Sequence, residues 1–105
     1  GATWHDLKDT GLQGHPPDLL RLHDGRLLLS YGFRLLGAGI RAAVSSDEGE
    51  TWDLQHIWAL RTDGGGTDLG YPHSVQLADG TVVTVYYFFE PGDMQYVACT
   101  RWRVP

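Results

Sequence analysis

Ser45-Ser46-Asp47-Glu48-Gly49-Glu50-Thr51-Trp52 is the stretch that decides how this chain folds. Ser45, Asp47, Gly49, Thr51 and Trp52 stand in it at the spacing Ser-x-Asp-x-Gly-x-Thr-Trp. Before it, Ile40, Ala42 and Val44 alternate with other residues as a strand does. After it, Trp52, Leu54 and Ile57 resume an extended, aromatic-rich pattern. An Asp, a Gly and small hydroxyl residues between two such runs specify a tight hairpin. Asp47 accepts hydrogen bonds from turn amides. Gly49 takes the positive φ that a side chain resists. Trp52 then folds its ring over the turn and onto the sheet.

This is the Asp-box pattern, with every defining position filled. The chain therefore resembles the sialidase-like superfamily of six-bladed β-propellers, also called BNR-repeat proteins. The resemblance implies that the Asp-box is a structural turn between the third and fourth strands of a blade. It also implies that the turn lies on the face opposite the active site. Ser45, Asp47, Gly49, Thr51 and Trp52 are thus assigned to the fold and not to chemistry.

Composition agrees with an all-β chain. At 105 residues there is at most one ordinary domain, material for about two blades of such a propeller. A hydrophobic content of 42% supports a packed core, and four Trp, five Tyr and fourteen Gly suit sheets joined by turns. The formal charge of −5 argues against a nucleic-acid or anionic-membrane partner. No apolar run approaches the roughly 20 residues of a membrane-spanning helix. The opening Gly1-Ala2-Thr3-Trp4 has no signal-peptide character and reads as a processed or truncated start. A single cysteine, Cys99, leaves no internal disulfide and no CxxC metal site, and its apolar strand context places it in the core. No motif asks for a cofactor, and the compartment is left open.

Taken in order, residues 4–7 read as a short strand, and residues 1–13 as the outer strand of a preceding or closing blade. His15-Pro16-Pro17 leads into the first full blade, residues 14–60, because prolines that cannot donate to a ladder belong at a strand start. Strands are expected at 18–22, 26–33, 40–45 and 51–60, with a hairpin at Asp24-Gly25 and the Asp-box between the last two. Continuous Leu27, Leu28 and Leu29 indicate a strand apolar on both faces. Residues 61–70, RTDGGGTDLG, read as a flexible crossing loop: there is no P-loop lysine and no helix follows. Residues 61–105 form a second blade lacking its outer strand, with strands at 74–77, 81–89 and 95–104. The two copies are related by an internal repeat. Pro17, Leu20, Leu22, Asp24, Gly25 and Tyr31 recur at a constant offset as Pro72, Val75, Leu77, Asp79, Gly80 and Tyr86.

Alternating strand direction puts the Asp-box and both Asp-Gly hairpins on one face. The other face gathers His15, Asp18, Arg34, Tyr71, His73, Tyr87 and Glu90. In the resembled family that face holds the active site. There, arginines grip a substrate carboxylate in bidentate fashion. A Tyr activated by a Glu is the nucleophile, which avoids repulsion from an anionic sugar, and an Asp is the acid/base. Carried over, this nominates Asp18, Arg34 and Tyr71 as catalytic, and His15, His73, Tyr87 and Glu90 as substrate-binding. The family's Arg-Ile-Pro lead-in has no counterpart, since His15 and Gly70 stand where the Arg would be, and no Glu is fixed beside a Tyr by spacing. His5, His23 and His56 show no metal-ligand spacing. Two functions stay open: part of a glycoside hydrolase acting on terminal sugars of glycans, or a non-catalytic module that binds carbohydrate or protein. The expected partners are a carbohydrate and the remaining blades, supplied by the same chain or by further copies of it.

Overall fold

Alternation of buried and solvated side chains, cut by Asp-Gly turns, builds seven strands and no helix in the computed structural model, which describes residues 1–4 and 6–105. They are β1 (Pro17–Arg21), β2 (Leu27–Phe33), β3 (Gly39–Ser45), β4 (Trp58–Arg61), β5 (Gly70–Gln76), β6 (Val82–Phe88) and β7 (Tyr96–Trp102). The first four form one antiparallel sheet in the order β1-β2-β3-β4, and the last three a second in the order β5-β6-β7. No helix in the described residues is long and apolar enough to cross a membrane.

The two sheets pack face to face through their first strands, β5 lying against β1 and β2. Leu22, Leu28, Ala42 and Val44 of the first sheet meet Val82 of the second, with Trp58 and Trp102 packed beside them. Nearer the other end, Ala38, Ile40, Leu69, Tyr86 and Phe88 form a second cluster. Each large apolar side chain fully buried here contributes about 1.5–3 kcal/mol. A polar chain crosses the seam: Ser30 Oγ lies 3.0 Å from Ser74 Oγ, which lies 2.9 Å from Thr84 Oγ1, and Trp102 Nε1 donates to Thr84 at 3.1 Å. All three hydroxyl residues are buried, so these bonds satisfy groups that would otherwise be costly.

The internal repeat is visible in the register. Asp18 pairs with Ser30 in the first sheet as His73 pairs with Val85 in the second. Asp18 and His73 are separated by 55 residues, an odd number. Side chains on a strand alternate faces. Positions equivalent in the repeat point the same way round the stack: Leu28 is buried against the second sheet, while Val82 is the residue of β6 that meets the first, so Val83, the counterpart of Leu28, faces away from it.

Several expected boundaries move. Residues 51–60 are not one strand; only Trp58–Arg61 pairs with β3. The cause is Asp53, which accepts the backbone N–H groups of Gln55 and His56 and holds the His56 ring, so the chain bends there. β5 begins at Gly70, four residues earlier than expected. Among the described residues of 1–13 no strand forms, and Trp4 and Leu7 are exposed; the expected strand at 4–7 includes His5, which lies outside the described residues. Lys8 of this segment pairs with Glu50, and just after the segment the N–H of His15 donates to Gly32 O at 2.9 Å. Cys99 is exposed on the outward face of β7, not in the core.

The crossing at 61–70 is pinned, not flexible. Gly64 N donates to Ala38 O at 3.0 Å and Gly65 N to Phe89 O at 2.8 Å. A Cβ on Gly64 would lie 2.4 Å from Leu69 Cδ2. The run of glycines is there because the loop is squeezed between the sheets' ends.

The Asp-box turn forms as its residues dictate. Asp47 Oδ1 accepts from Ser45 Oγ and from Thr51 N, each at 2.8 Å, and Oδ2 accepts from Thr51 Oγ1 at 2.5 Å. Gly49, at φ +85°, donates its N–H to Ser45 Oγ at 2.9 Å, and the Trp52 ring lies beneath it. The Thr51 hydroxyl first, then its amide, holds the Asp47 carboxyl down to about 2. A depressed pKa contributes stability above the unfolded value of about 3.9 and loses it as pH falls toward the folded one. Asp47→Ala is therefore expected to lower the melting temperature by roughly 4–8 °C at neutral pH, for a domain of this size. The gap between variant and wild type should close as the solution is acidified toward about pH 2. Ligand affinity of the folded variant should stay as in wild type. Unchanged melting with lost affinity would contradict a structural role.

Candidate functional site

The end of the sheets opposite the Asp-box turn carries the loop between β2 and β3, the loop between β6 and β7, and the start of β5. Gly32 and Gly70 let the two sheets touch there: a Cβ on Gly32 would lie 3.2 Å from Gly70 Cα and 2.8 Å from His15 O. β5 has a register irregularity between Gly70 and His73. Tyr71, within it, is held at φ +48°. A bulged strand re-aims side chains, and a bulky residue in left-handed space is strained. Tyr71 is consequently 65% exposed.

Arg34 and Tyr71 come together at this rim. The Arg34 guanidinium lies 5.8 Å from the centroid of the Tyr71 ring. Its Nε is buried without a hydrogen-bond partner. The Tyr71 ring in turn packs on Tyr87, centroids 5.8 Å apart and tilted 44°. Tyr87 OH donates to Asp68 Oδ1 at 2.7 Å, and Gln95 Nε2 donates to Asp68 Oδ2 at 3.0 Å. Burial, reinforced by the bond to Asp68, pushes the Tyr87 phenol up. It is a protonated donor at neutral pH, hydrogen-bonded to Asp68. Asp68 and Gln95 were not singled out from the sequence. The available signal for Asp68 was its place in Thr67-Asp68-Leu69-Gly70, directly ahead of Tyr71.

Asp18 and His73 form a second pair. His73 Nδ1 lies 2.8 Å from Asp18 Oδ1, and Asp18 Oδ2 accepts the N–H of Ser74 at 2.8 Å. The Asp18 side chain is 17% exposed and that of His73 is 72% exposed.

The other nominated residues are placed apart. His15 lines a shallow cavity of about 100 Å³ with Gln13, Gly14, Phe33, Arg34 and Leu35, so it borders Arg34. Glu90 bonds elsewhere: Tyr96 OH donates to its carboxylate at 2.6 Å and Arg61 Nη2 donates at 2.9 Å. The Tyr96 hydroxyl and then Arg61 hold the Glu90 carboxyl low. Arg61, which also grips Asp63, stacks 4.1 Å over Phe88, so Glu90 belongs to a network that ties the two sheets together. A larger cleft of about 280 Å³ opens at the Asp-box turn. Its carboxylates are engaged locally, Asp47 by the turn and Asp53 by the Gln55 and His56 amides and the His56 ring, so chemistry is better placed at the opposite rim. No group of three or more His, Cys, Asp or Glu among the described residues is arranged to hold a metal ion.

No family model matches the chain, and no curated relative matches it. A solved structure is similar: the crystal structure of a protein of unknown function from Dyadobacter fermentans DSM 18053, with a TM-score of 0.78 and 45% identity over 90% of this chain and 26% of that one. The chain thus spans about a quarter of that protein's length.

Proposed function

We propose that the two sheets are adjacent blades of a sialidase-like propeller, and that the chain is part of a glycoside hydrolase acting on terminal sugars of glycans. The observation that carries this reading is the Arg34–Tyr71–Tyr87–Asp68 arrangement at the rim opposite the Asp-box turn. A guanidinium with unspent donors suits a sugar carboxylate, which it meets with paired charge-assisted bonds. The exposed Tyr71 ring offers a flat apolar surface to a pyranose. Tyr87 with Asp68 is a phenol–carboxylate pair of the kind the resembled family uses, with Asp in place of Glu. The repeat supports the blade assignment, because equivalent positions of the two sheets face in the same rotational sense.

A non-catalytic carbohydrate-binding module is the second reading, favoured by the arginine supply. The Arg41 guanidinium is stacked 3.4 Å over Phe33, and Arg61 is paired to Asp63 and Glu90. Arg34 is the one arginine nominated for the site, where the resembled family grips a carboxylate with three.

The test is a panel of aryl glycosides, an aryl sialoside among them, offered to the protein that carries this chain. Release of the aryl group from an acidic sugar is the expected result; saturable binding with no release selects the second reading. Arg34→Ala should weaken affinity for an acidic sugar by roughly 10- to 100-fold, the range of a charge-assisted hydrogen bond. Melting should barely move, because the Arg34 Nε has no hydrogen-bond partner to lose and its ring contact is with exposed Tyr71. An unfolded variant, or one with unchanged affinity, would remove Arg34 from the site.

A further inference from the structure

The seam between the two sheets is matched through hydroxyls. Ser30 of the first sheet bonds Ser74, and Ser74 bonds its cross-strand neighbour Thr84. All three are buried, so none can lose its partner without cost. The repeat places their counterparts on the two outward faces, and each counterpart is apolar. Val85 stands for Ser30 on the outward face of the second sheet and is 40% exposed. Leu19, 58% exposed, stands for Ser74 on the outward face of the first sheet. Leu29, paired with Leu19, stands for Thr84. The two outward faces therefore match each other and mismatch the inner ones. Crossing the two sets would bury a hydroxyl against hydrocarbon.

The cation over the repeated phenylalanine follows the same logic. Over Phe88 the guanidinium comes across the seam, from Arg61. Over Phe33, the counterpart of Phe88, it comes from the same sheet: Arg41 lies 3.4 Å from the ring centroid. Arg41 pairs with Tyr31, and the residue paired with the equivalent Tyr86 is Ala98. The outward face of the first sheet thus needs no arginine from its partner. A three-stranded sheet, with no β4 to carry one, suits that face, and β5-β6-β7 is such a sheet. Charge agrees as well. The counterpart of the Asp18–His73 contact sets His73 of one copy, 72% exposed, beside Asp18 of the next.

We propose that the two outward faces are halves of one interface between copies of this chain. The sheet β5-β6-β7 of one copy docks head to tail on the outward face of β1-β2-β3-β4 of a second copy, with Val85 over Leu19 and Leu29. Such an interface is heterologous, so copies add in one direction and either close a ring or extend. It does not rest on the hydrolase reading.

Light scattering against concentration tests the matching. Val85→Ser should weaken association about tenfold or more, because a buried hydroxyl is left unmatched. Adding Leu19→Ser and Leu29→Thr to Val85→Ser rebuilds the hydroxyl set of the inner seam and should return affinity to within about threefold of wild type. A triple variant weaker than Val85→Ser would show a face that is apolar and unmatched, and would overturn the proposal. Disulfide trapping tests the direction and needs only exposed positions to be changed. Cys99 pairs with Val85 in register, so both chains carry Cys99→Ala. Chains with Val85→Cys are mixed with chains with Leu19→Cys and oxidised. A mixed disulfide is expected, with little product from either chain alone. If Val85→Cys links to itself as readily as to Leu19→Cys, the contact is two-fold and the head-to-tail interface is wrong. A monomeric wild-type chain also overturns it.

Discussion

Phe88→Ala is expected to lower the unfolding free energy by about 3–5 kcal/mol, the usual range for emptying a buried aromatic site. Phe88 is 0% exposed and sits in the cluster of Ala38, Ile40, Leu69 and Tyr86. Its ring meets Tyr86 edge-on at 5.8 Å and Tyr96 at 6.5 Å. The Arg61 guanidinium lies 4.1 Å over its face. Truncation therefore removes transfer free energy, two aromatic contacts and the platform under a partly buried cation at once. Backbone on both sides of the site is held in sheet, so the cavity collapses little. In urea the midpoint should fall while the slope stays constant, which marks a loss of stability and not a change of unfolded state. Val83→Ala, at a half-buried position of the same strand, should cost far less. A Phe88→Ala loss below about 1 kcal/mol would mean that the second cluster is not a structural core.

The fold was legible where a local rule forces one backbone path. The Asp-box is such a case, because Asp47, Gly49 and Thr51 act on residues four or fewer away. The Asp24-Gly25 and Asp79-Gly80 turns are others, with Gly25 at φ +92° and Gly80 at φ +88°. The fourth strand was misjudged because the apolar spacing of Trp52, Leu54 and Ile57 looks extended, whereas Asp53 bonds its own neighbours and wins locally. The glycine run at 64–66 suggested freedom, but it reflects crowding that only the packed loop reveals.

For the site, residue types were legible and partnerships were not. Arg34, Tyr71 and Tyr87 were nominated and do meet. Asp18 and His73 were nominated separately, although the repeat already placed them in register. Glu90 was nominated from its loop, yet Tyr96 and Arg61 claim it, because β7 returns along β6 at a register no short-range pattern specifies. Asp68 was passed over because its partner, Tyr87, is nineteen residues away on another strand.

If the sheets are blades as proposed, the repeat makes the outward face of the second sheet an interface. Val83 is the counterpart of Leu28 in the first sheet, and Val75 that of Leu20. β7 aligns with β3 as well, so Val97 and Cys99 answer to Ile40 and Ala42. Leu28, Ile40 and Ala42 are each 0% exposed because the second sheet covers them. Val75 at 46%, Val85 at 40% and Val97 at 81% have no such cover in this chain. A half-exposed valine-rich sheet face of this kind, shared by register with His73 and Arg101, fits an association surface, and the unpaired edge of β7 adds to it. The occupant that fits is another sheet of the same repeat, supplied by a longer chain or by a second copy. In the isolated chain only copies are available. Light scattering should therefore report association; on the proposed blade reading a closed ring would hold three copies, while open stacking would give a broad distribution. Replacing Val85 and Val97 with lysine on the outward face should disperse either form without unfolding it, since neither side chain supports the core between the sheets. A folded wild-type monomer at concentrations where the lysine variant is also monomeric would show that the face needs no neighbour, and the blade assignment would lose its main physical argument.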